Sequence, residues 1–298
     1  MKILLTGANG FIGRHLLERL AGEHQLVALV RQLPARLIAG VEYIAQDLSQ
    51  PLQLAQLPSQ LDAIIHQAAL IDTERFDESL AFRVNVEATW RLLHYAEKAG
   101  VHTFVHASTG GVYGCADRPF VESDPFHPMD LYSLTKAQAE LAVQASAGDF
   151  HKVVLRYFFP YGAGTPNPIP RWVERALSGE PLQVLRSGKP HLNPLHISDA
   201  VEATVRALAL RQSAVLNIAG TEITSIRGIA EMAAQRVGRK ANLELIPDES
   251  AIPYYRADLV AKIERMQTLL HFTPQITLAQ GIAELVQSQG MACASAVQ

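Results

Sequence analysis

The chain has 298 residues, 48% of them apolar and 18% charged, which is long enough for two packed units and apolar enough for a real core. Glycine and proline are near average and no low-complexity tract appears, so a disordered chain is excluded. The formal net charge of −3 offers no global attraction to nucleic acid or anionic membranes, and apolar runs of about five residues, such as 26–30, are too short to span a bilayer.

The opening Met1-Lys2-Ile3-Leu4-Leu5-Thr6-Gly7 turns polar too soon for a signal-peptide core and reads as a strand over 2–6. A helix follows, ending near Gly22. Strands are expected at 25–30, 41–45 and 61–65, a long helix at about 79–98, a strand at 101–107, a helix at 131–147 and a strand at 152–157. Strands alternating with helices imply crossover connections and a mostly parallel sheet covered on both faces. After Tyr157 the prolines 160, 166, 168, 170, 181, 190 and 194 predict short strands and loops. Helical patterns return at 199–210, 225–237, 258–270 and 278–287, and residues 291–298 are expected to fray. The reading is a cofactor domain over 1–157 and a smaller substrate domain over 158–298, with some later segments returning to the first. Cys115 and Cys293 have no metal-like spacing, so neither a disulfide framework nor a metal site is expected, and the cytoplasm is the expected compartment.

The first strand runs into Gly7-Ala8-Asn9-Gly10-Phe11-Ile12-Gly13. At a strand-to-helix turn this spacing allows a tight turn at Gly7, close approach of a pyrophosphate at Gly10 and close helix packing at Gly13. The architecture expected is α/β, a Rossmann-like doubly wound parallel sheet with a smaller C-terminal α/β substrate domain. At the end of the second strand, Arg31 stands where a carboxylate would bind a ribose 2′-hydroxyl. That favours NADP(H), with NAD(H) as the alternative; Arg36 and Arg14 are further positive groups.

Tyr132-Ser133-Leu134-Thr135-Lys136 places a phenol and an ammonium on one helix face, an arrangement in which the lysine lowers the phenol pKa and binds a cofactor ribose. Ser108 and Thr109 put hydroxyls at the carboxyl end of a strand, where ligands sit in open parallel sheets.

With these motifs in order the chain resembles the extended short-chain dehydrogenase/reductase superfamily, the group of NAD(P)-dependent epimerases, dehydratases and related reductases. The resemblance covers about residues 1–240 and rests also on Asp47-Leu48, His66-Gln67-Ala68-Ala69, Asn85, Ser108-Thr109 followed by Val112-Tyr113-Gly114, and Leu155-Arg156-Tyr157-Phe158 with Tyr161-Gly162. It implies Tyr132 as acid/base, Lys136 as its partner and ribose ligand, and Thr109, rather than Ser108, as the substrate hydroxyl. It implies a cofactor site of Gly7, Gly10, Phe11, Ile12 and Gly13 at the pyrophosphate, Asp47 and Leu48 at the adenine, Gln67, Ala68 and Ala69 along its length, Asn85 in support and Phe158 near the nicotinamide. His66 is either a cofactor-side group or a satisfied buried histidine, and His196 is expected to be structural. Tyr161, His191 and Asn193 are candidate substrate contacts, and a homodimer paired through the two long helices is expected.

Three features depart from the pattern. Gly110 and Gly111 stand where 4,6-dehydratases of this superfamily carry an acidic pair, Phe159 where sugar-nucleotide members carry Asn, and Leu192 where they carry a diphosphate-pairing Arg. The leading expectation is therefore hydride transfer between nicotinamide and a secondary alcohol or ketone, as a reductase or dehydrogenase. The alternatives are an epimerase of a sugar nucleotide or related sugar, and a non-catalytic dinucleotide sensor.

Overall fold

The computed structural model describes residues 1–71, 77–250 and 257–295. The chain begins with β1 (Lys2–Thr6), α1 (Phe11–Leu20), β2 (Gln25–Val30), β3 (Val41–Ala45) and β4 (Ala63–His66). There follow α2 (Glu78–Phe82), a π-helical turn at Arg83–Glu87, α3 (Ala88–Lys98), β5 (Thr103–Thr109), α4 (Leu131–Ala145) and β6 (His151–Tyr157). The remainder is β7 (Pro160–Tyr161), α5 (Ile169–Ser178), β8 (Leu182–Leu185), β9 (His191–Leu192), β10 (Leu195–His196), α6 (Ile197–Ala207) and β11 (Ala214–Ile218), then β12 (Thr224–Ser225), α7 (Ile226–Arg236), β13 (Leu243–Ile246), α8 (Glu264–Leu270) and α9 (Leu278–Ser295).

Seven of these strands form one parallel sheet in the order β3-β2-β1-β4-β5-β6-β11. Both faces are buried because alternate side chains each find a helical layer. Ile3 and Leu5 pack with Leu16, Leu17 and Leu20 of α1 and Val201 of α6, while Leu4 packs with Leu92 and Leu93 of α3 and Val143 of α4. A side chain of this size, fully buried, contributes roughly 1.5–3 kcal/mol. The chain turns outward in opposite directions from β1, so the carboxyl ends of β1 and β4 flank a crevice, the place where such sheets bind ligands. β11 returns to the sheet beside β6, and α6 and α8 cover the same face as α1. The smaller lobe packs α5, α7 and α9 around Ile169, Val173, Ile229, Ala233 and Ile282, with β8 and β13 paired alongside.

Several elements differ from the expectation. The 79–98 helix is interrupted by the π turn. α5 lies among prolines that read as breakers: Pro168 and Pro170 sit in its first turn, where a missing N–H costs nothing. β8 is one of the short strands expected among the prolines, whereas β11 and β13 carry no expectation of their own. The 258–270 helix is only α8, whereas α9 continues through Ser295, past the expected fraying point. Residues 296–298 and the Cys293 side chain lie outside those described. Among the described residues no helix is long and apolar enough to cross a membrane, and no group of His, Cys, Asp and Glu is arranged to hold a metal ion.

Candidate active site

The glycine loop closes the crevice from the β1 side. Gly7 has φ 70°, and its amide neighbours β4's extension so closely that a Cβ there would lie 2.6 Å from the Ala68 nitrogen. A Cβ on Gly13 would lie 2.1 Å from the Gly7 carbonyl oxygen, so only glycine lets α1 start this near the loop. No side chain caps the helix at Gly10, which leaves its first-turn N–H groups and positive dipole end facing the crevice. Those residues fit the pyrophosphate of a dinucleotide. We expect Gly13→Ala to weaken dinucleotide affinity at least tenfold, read by fluorescence titration; unchanged affinity would contradict this account of the loop.

Around the loop, Asn9 Nδ2 donates to the Gln32 carbonyl at 2.8 Å, which draws the residues after β2 against it. Arg31 and Arg36 are exposed there. Arg14, the third positive group, is drawn elsewhere and donates to the Ala163 carbonyl at 2.9 Å. Asp47 is exposed after β3 and accepts from the Ser49 amide, with Leu48 buried beneath. Beyond β4, Ala68 and Ala69 are partly buried. Gln67 is held by Tyr157, whose hydroxyl lies 3.1 Å from its Nε2 and passes its own proton to Thr204 at 2.6 Å. Asn85 lies in the π turn, a form that recurs at functional sites. Its amide is fully engaged: it accepts from Leu70 N at 2.7 Å and donates to Leu70 O and Thr135 Oγ1. Thr135 in turn donates to the Tyr132 carbonyl, which fixes the start of α4.

The opposite wall is the turn after β5 and the first turns of α4. The Asp130 carboxylate caps α4 by accepting from Ser133 N at 2.6 Å. Thr109 Oγ1 accepts from Gly111 N at 3.1 Å, which leaves its hydroxyl proton free for another acceptor. A side chain at 110 or 111 would have to displace a neighbour. A Cβ at Gly110 would meet the Phe158 ring at 2.5 Å, and one at Gly111 would meet Ser133 Oγ at 2.5 Å. An acidic pair there would displace the buried Phe158 ring and turn the Ser133 hydroxyl aside.

Tyr132 is partly buried. Burial pushes its phenol pKa up, and the Asp130 carboxylate pushes the same way. The net direction is upward because desolvation of the phenolate dominates. Lys136 is buried, and its pKa is lowered to about 8 by burial, against the opposing charge of Glu140. Its Nζ lies 3.2 Å from His106 Nε2.

His106 faces His66 across adjacent strands, with ring centroids 5.4 Å apart, and His66 faces Thr6 on β1. Thr6 Oγ1 accepts from Ala68 N and lies 2.7 Å from His66 Nδ1. Thr89 Oγ1 donates to the Asn85 carbonyl and therefore accepts from His66 Nε2 at 2.9 Å. The network assigns His66 as a neutral Nε2–H tautomer. It is a satisfied buried histidine, its pKa lowered to about 3 by burial and then by the Lys136 charge.

Three expected site residues are engaged otherwise. Ser108 donates its hydroxyl to Glu140 inside the core, so it does not face the crevice as a catalytic hydroxyl would. Asn193 donates to the Gly220 and Ala261 carbonyls and accepts from Ala261 N, which engages both its donors and its oxygen within the core. Tyr161 is buried in the small-lobe core, its hydroxyl where a Gly281 side chain would be. Phe158 is buried with its ring over Gly110, beside the expected nicotinamide position. His191 remains half-exposed, with Nδ1 2.9 Å from the Asp258 carboxylate. His196 is buried beside Glu284, at 3.2 Å, and caps α6. Phe159 has φ 45°, a left-handed conformation that asparagine adopts readily and phenylalanine rarely. The backbone thus keeps an asparagine-like geometry while the side chain packs into the small lobe.

Two participants were not singled out from the sequence, His106 and Glu140. Glu140 lies one further helical repeat beyond Tyr132 and Lys136, so its spacing was a usable signal; His106 had none in an apolar strand.

The family model of the NAD dependent epimerase/dehydratase family matches residues 3–219. A curated relative from Bacillus subtilis (strain 168), "Uncharacterized UDP-glucose epimerase YtcB", is 28% identical over 95% of this chain and 96% of its own. The solved structure "MoeE5 in complex with UDP-glucuronic acid and NAD" is 31% identical with TM-score 0.85, covering 98% of this chain and 100% of that one. UDP-glucuronic acid 4-epimerase from Bacillus cereus, solved with UDP-glucuronic acid and NAD, is 25% identical with TM-score 0.86 and the same coverage. With its parallel sheet, glycine loop and Thr-Tyr-Lys wall, the chain belongs to the NAD dependent epimerase/dehydratase family and is an NAD(P)-dependent enzyme of the extended short-chain dehydrogenase type.

Proposed function

We propose that the chain is an NAD-dependent epimerase of a nucleoside-diphosphate sugar. The observation that carries this reading is the wall in which Thr109, Tyr132 and Lys136 adjoin a turn that carries no carboxylate at Gly110 and Gly111. Such a wall supports removing and returning hydrogen at one secondary alcohol, while elimination lacks its acid/base groups. The nucleoside-diphosphate sugar is supported by the printed ligands of the similar structures.

The chain's residues divide the work. Phe11, Ile12 and Gly13 present first-turn main-chain donors to the pyrophosphate, Gly7 and Gly10 allow its close approach, and Asp47, Leu48, Gln67, Ala68, Ala69 and Phe158 line the rest of the dinucleotide, with Asn85 as a support. Thr109 donates its free proton to the substrate oxygen. Tyr132 exchanges the proton at that same oxygen, and Lys136 holds a ribose and balances the charge when the phenol is deprotonated. His191, half-exposed, is the remaining substrate candidate. A bound nicotinamide supplies the reversible hydride exchange. The reading includes a homodimer in the cytoplasm, its interface supplied by exposed Trp90 on α3 and Leu134 and Leu141 on α4.

A second reading, an NADP(H)-linked reductase of a carbonyl substrate, is favoured by Arg31 and Arg36 beyond β2 and by Phe159 and Leu192 in place of polar contacts. Denaturing freshly purified protein and identifying the dinucleotide released separates the two. Near-stoichiometric oxidised NAD is expected. An empty protein that binds NADPH at least tenfold more tightly than NADH would replace the epimerase with the reductase.

A further inference from the structure

We propose that His106 is a positioning residue for Lys136, holding the lysine ammonium from the sheet side through Nε2 and thereby fixing where it meets Tyr132 and a ribose. The inference rests on the roles given to Tyr132 and Lys136 above.

The geometry argues for it in three steps. First, both groups are buried and in contact: His106 has no exposed surface, Lys136 almost none, and Nζ lies 3.2 Å from Nε2. A protonated Nζ has only donors, so Nε2 must accept, and the imidazole proton must sit on Nδ1. Second, that Nδ1 is buried with no hydrogen-bond partner among the described residues, an arrangement that costs stability. The fold tolerates an unpaired polar atom in a stretch of β5 flanked by Phe104, Val105 and Ala107, and the gain it brings is the acceptor facing Lys136. Third, His66 stands behind His106 as a fully engaged neutral ring, so it neither competes for the lysine nor accepts a proton from His106.

The groups around Lys136 give the sign of the effect. His106 on β5 and His66 on β4 are held neutral by burial, with the lysine charge acting second on each. Glu140 and Tyr132 lie on α4 itself, and Arg156 on β6 is engaged with Glu140. Burial depresses the lysine pKa to about 8, and Glu140 opposes that. A neutral acceptor bonded to the charged form also opposes it. Removing the acceptor therefore lowers the lysine pKa further and shrinks the protonated fraction at neutral pH.

The test titrates Lys136 directly by NMR of ε-13C-lysine protein, its resonance assigned with Lys136→Met. The parent is expected to titrate near pH 8, His106→Leu about one unit lower, and His106→Gln, whose side chain reaches the Nε2 position with an acceptor, close to the parent. The alkaline limb of the pH–rate profile should move with the lysine, a change that a merely space-filling histidine would not produce. An unmoved midpoint in His106→Leu, or a failure of Gln to restore it, overturns the proposal. Should the leucine variant not fold, His106→Asn, too short to reach Nζ, is expected to shift the midpoint as leucine would, and an unmoved midpoint there is equally decisive. The lysine titration needs no substrate, so it decides this point even if no sugar nucleotide is turned over.

Discussion

Tyr132→Phe is expected to lower epimerisation by roughly 10²- to 10⁴-fold while leaving dinucleotide affinity within about twofold of the parent. The substitution removes one oxygen and keeps the ring that packs at the start of α4, where the Asp130 cap and the Thr135 bond to the Tyr132 carbonyl hold the backbone independently of the phenol. Folding and the glycine loop should therefore be untouched, and the loss should fall on turnover. At about 1.36 kcal/mol per tenfold, that is about 3 to 5 kcal/mol of barrier. Because burial keeps the phenol protonated, the group is poised as an acid, and oxidation of the alcohol requires help from Lys136 beside it. Turnover with a UDP-sugar, followed by separating the two epimers, reads the effect. Activity within tenfold of the parent would remove Tyr132 from the acid/base role and, with it, the proposed chemistry.

The parts of the molecule that could be read from sequence are those in which local chemistry and tertiary role coincide. The β1–glycine loop–α1 unit is one, since a buried strand, a φ-positive Gly7 and a helix start all leave local marks. β2 is another, because its continuous apolar run Leu26–Val30, bounded by polar residues, suits a strand buried in a parallel sheet. Where the two roles diverge, the sequence misleads. Pro168 and Pro170 mark a break or a helix start with equal propriety, and only packing of Ile169, Trp172 and Val173 into the small lobe selects the helix. Asn193 and Tyr161 carry polar atoms in a proline-rich stretch and look available for substrate; their burial and their partners at Gly220, Ala261 and Gly281 are set by segments 27 to 120 residues away. Ser108 and Thr109 are adjacent hydroxyls, but alternation along β5 sends one to Glu140 in the core and leaves the other at the crevice. His106 meets Lys136 only because β5 and α4 pack together, which no local pattern encodes.

Glu140→Ala should cost about 3–5 kcal/mol of folding stability, because it leaves a buried guanidinium unpaired. Arg156 and Glu140 are 3% and 0% exposed and joined in a two-pronged bond, with Nε 3.0 Å and Nη2 2.7 Å from Oε2. Arg156 also donates to the Tyr113 hydroxyl at 2.6 Å, and its guanidinium lies over the Tyr113 and Phe126 rings at 4.6 and 5.0 Å. These contacts satisfy the cation's geometry, but only the carboxylate neutralises it. A loss of that size is a large share of the roughly 5–15 kcal/mol by which domains are stable. The pair does not thereby add net stability over an apolar core, since desolvating both ions offsets their attraction. Glu140→Leu combined with Arg156→Met should accordingly recover most of what the single change loses. What the pair does supply is registry: with the Ser108 hydroxyl it ties α4 to β5 and β6, two helical turns from Tyr132. The apolar double variant is therefore expected to fold yet turn over more slowly, with Lys136 also titrating lower once the Glu140 charge is gone. Denaturant unfolding of the three variants, read beside the epimerase assay, separates the two contributions. A single variant within 1 kcal/mol of the parent would show that the guanidinium reaches water or another anion, and a double variant with full turnover would show that α4 is held in place without the pair.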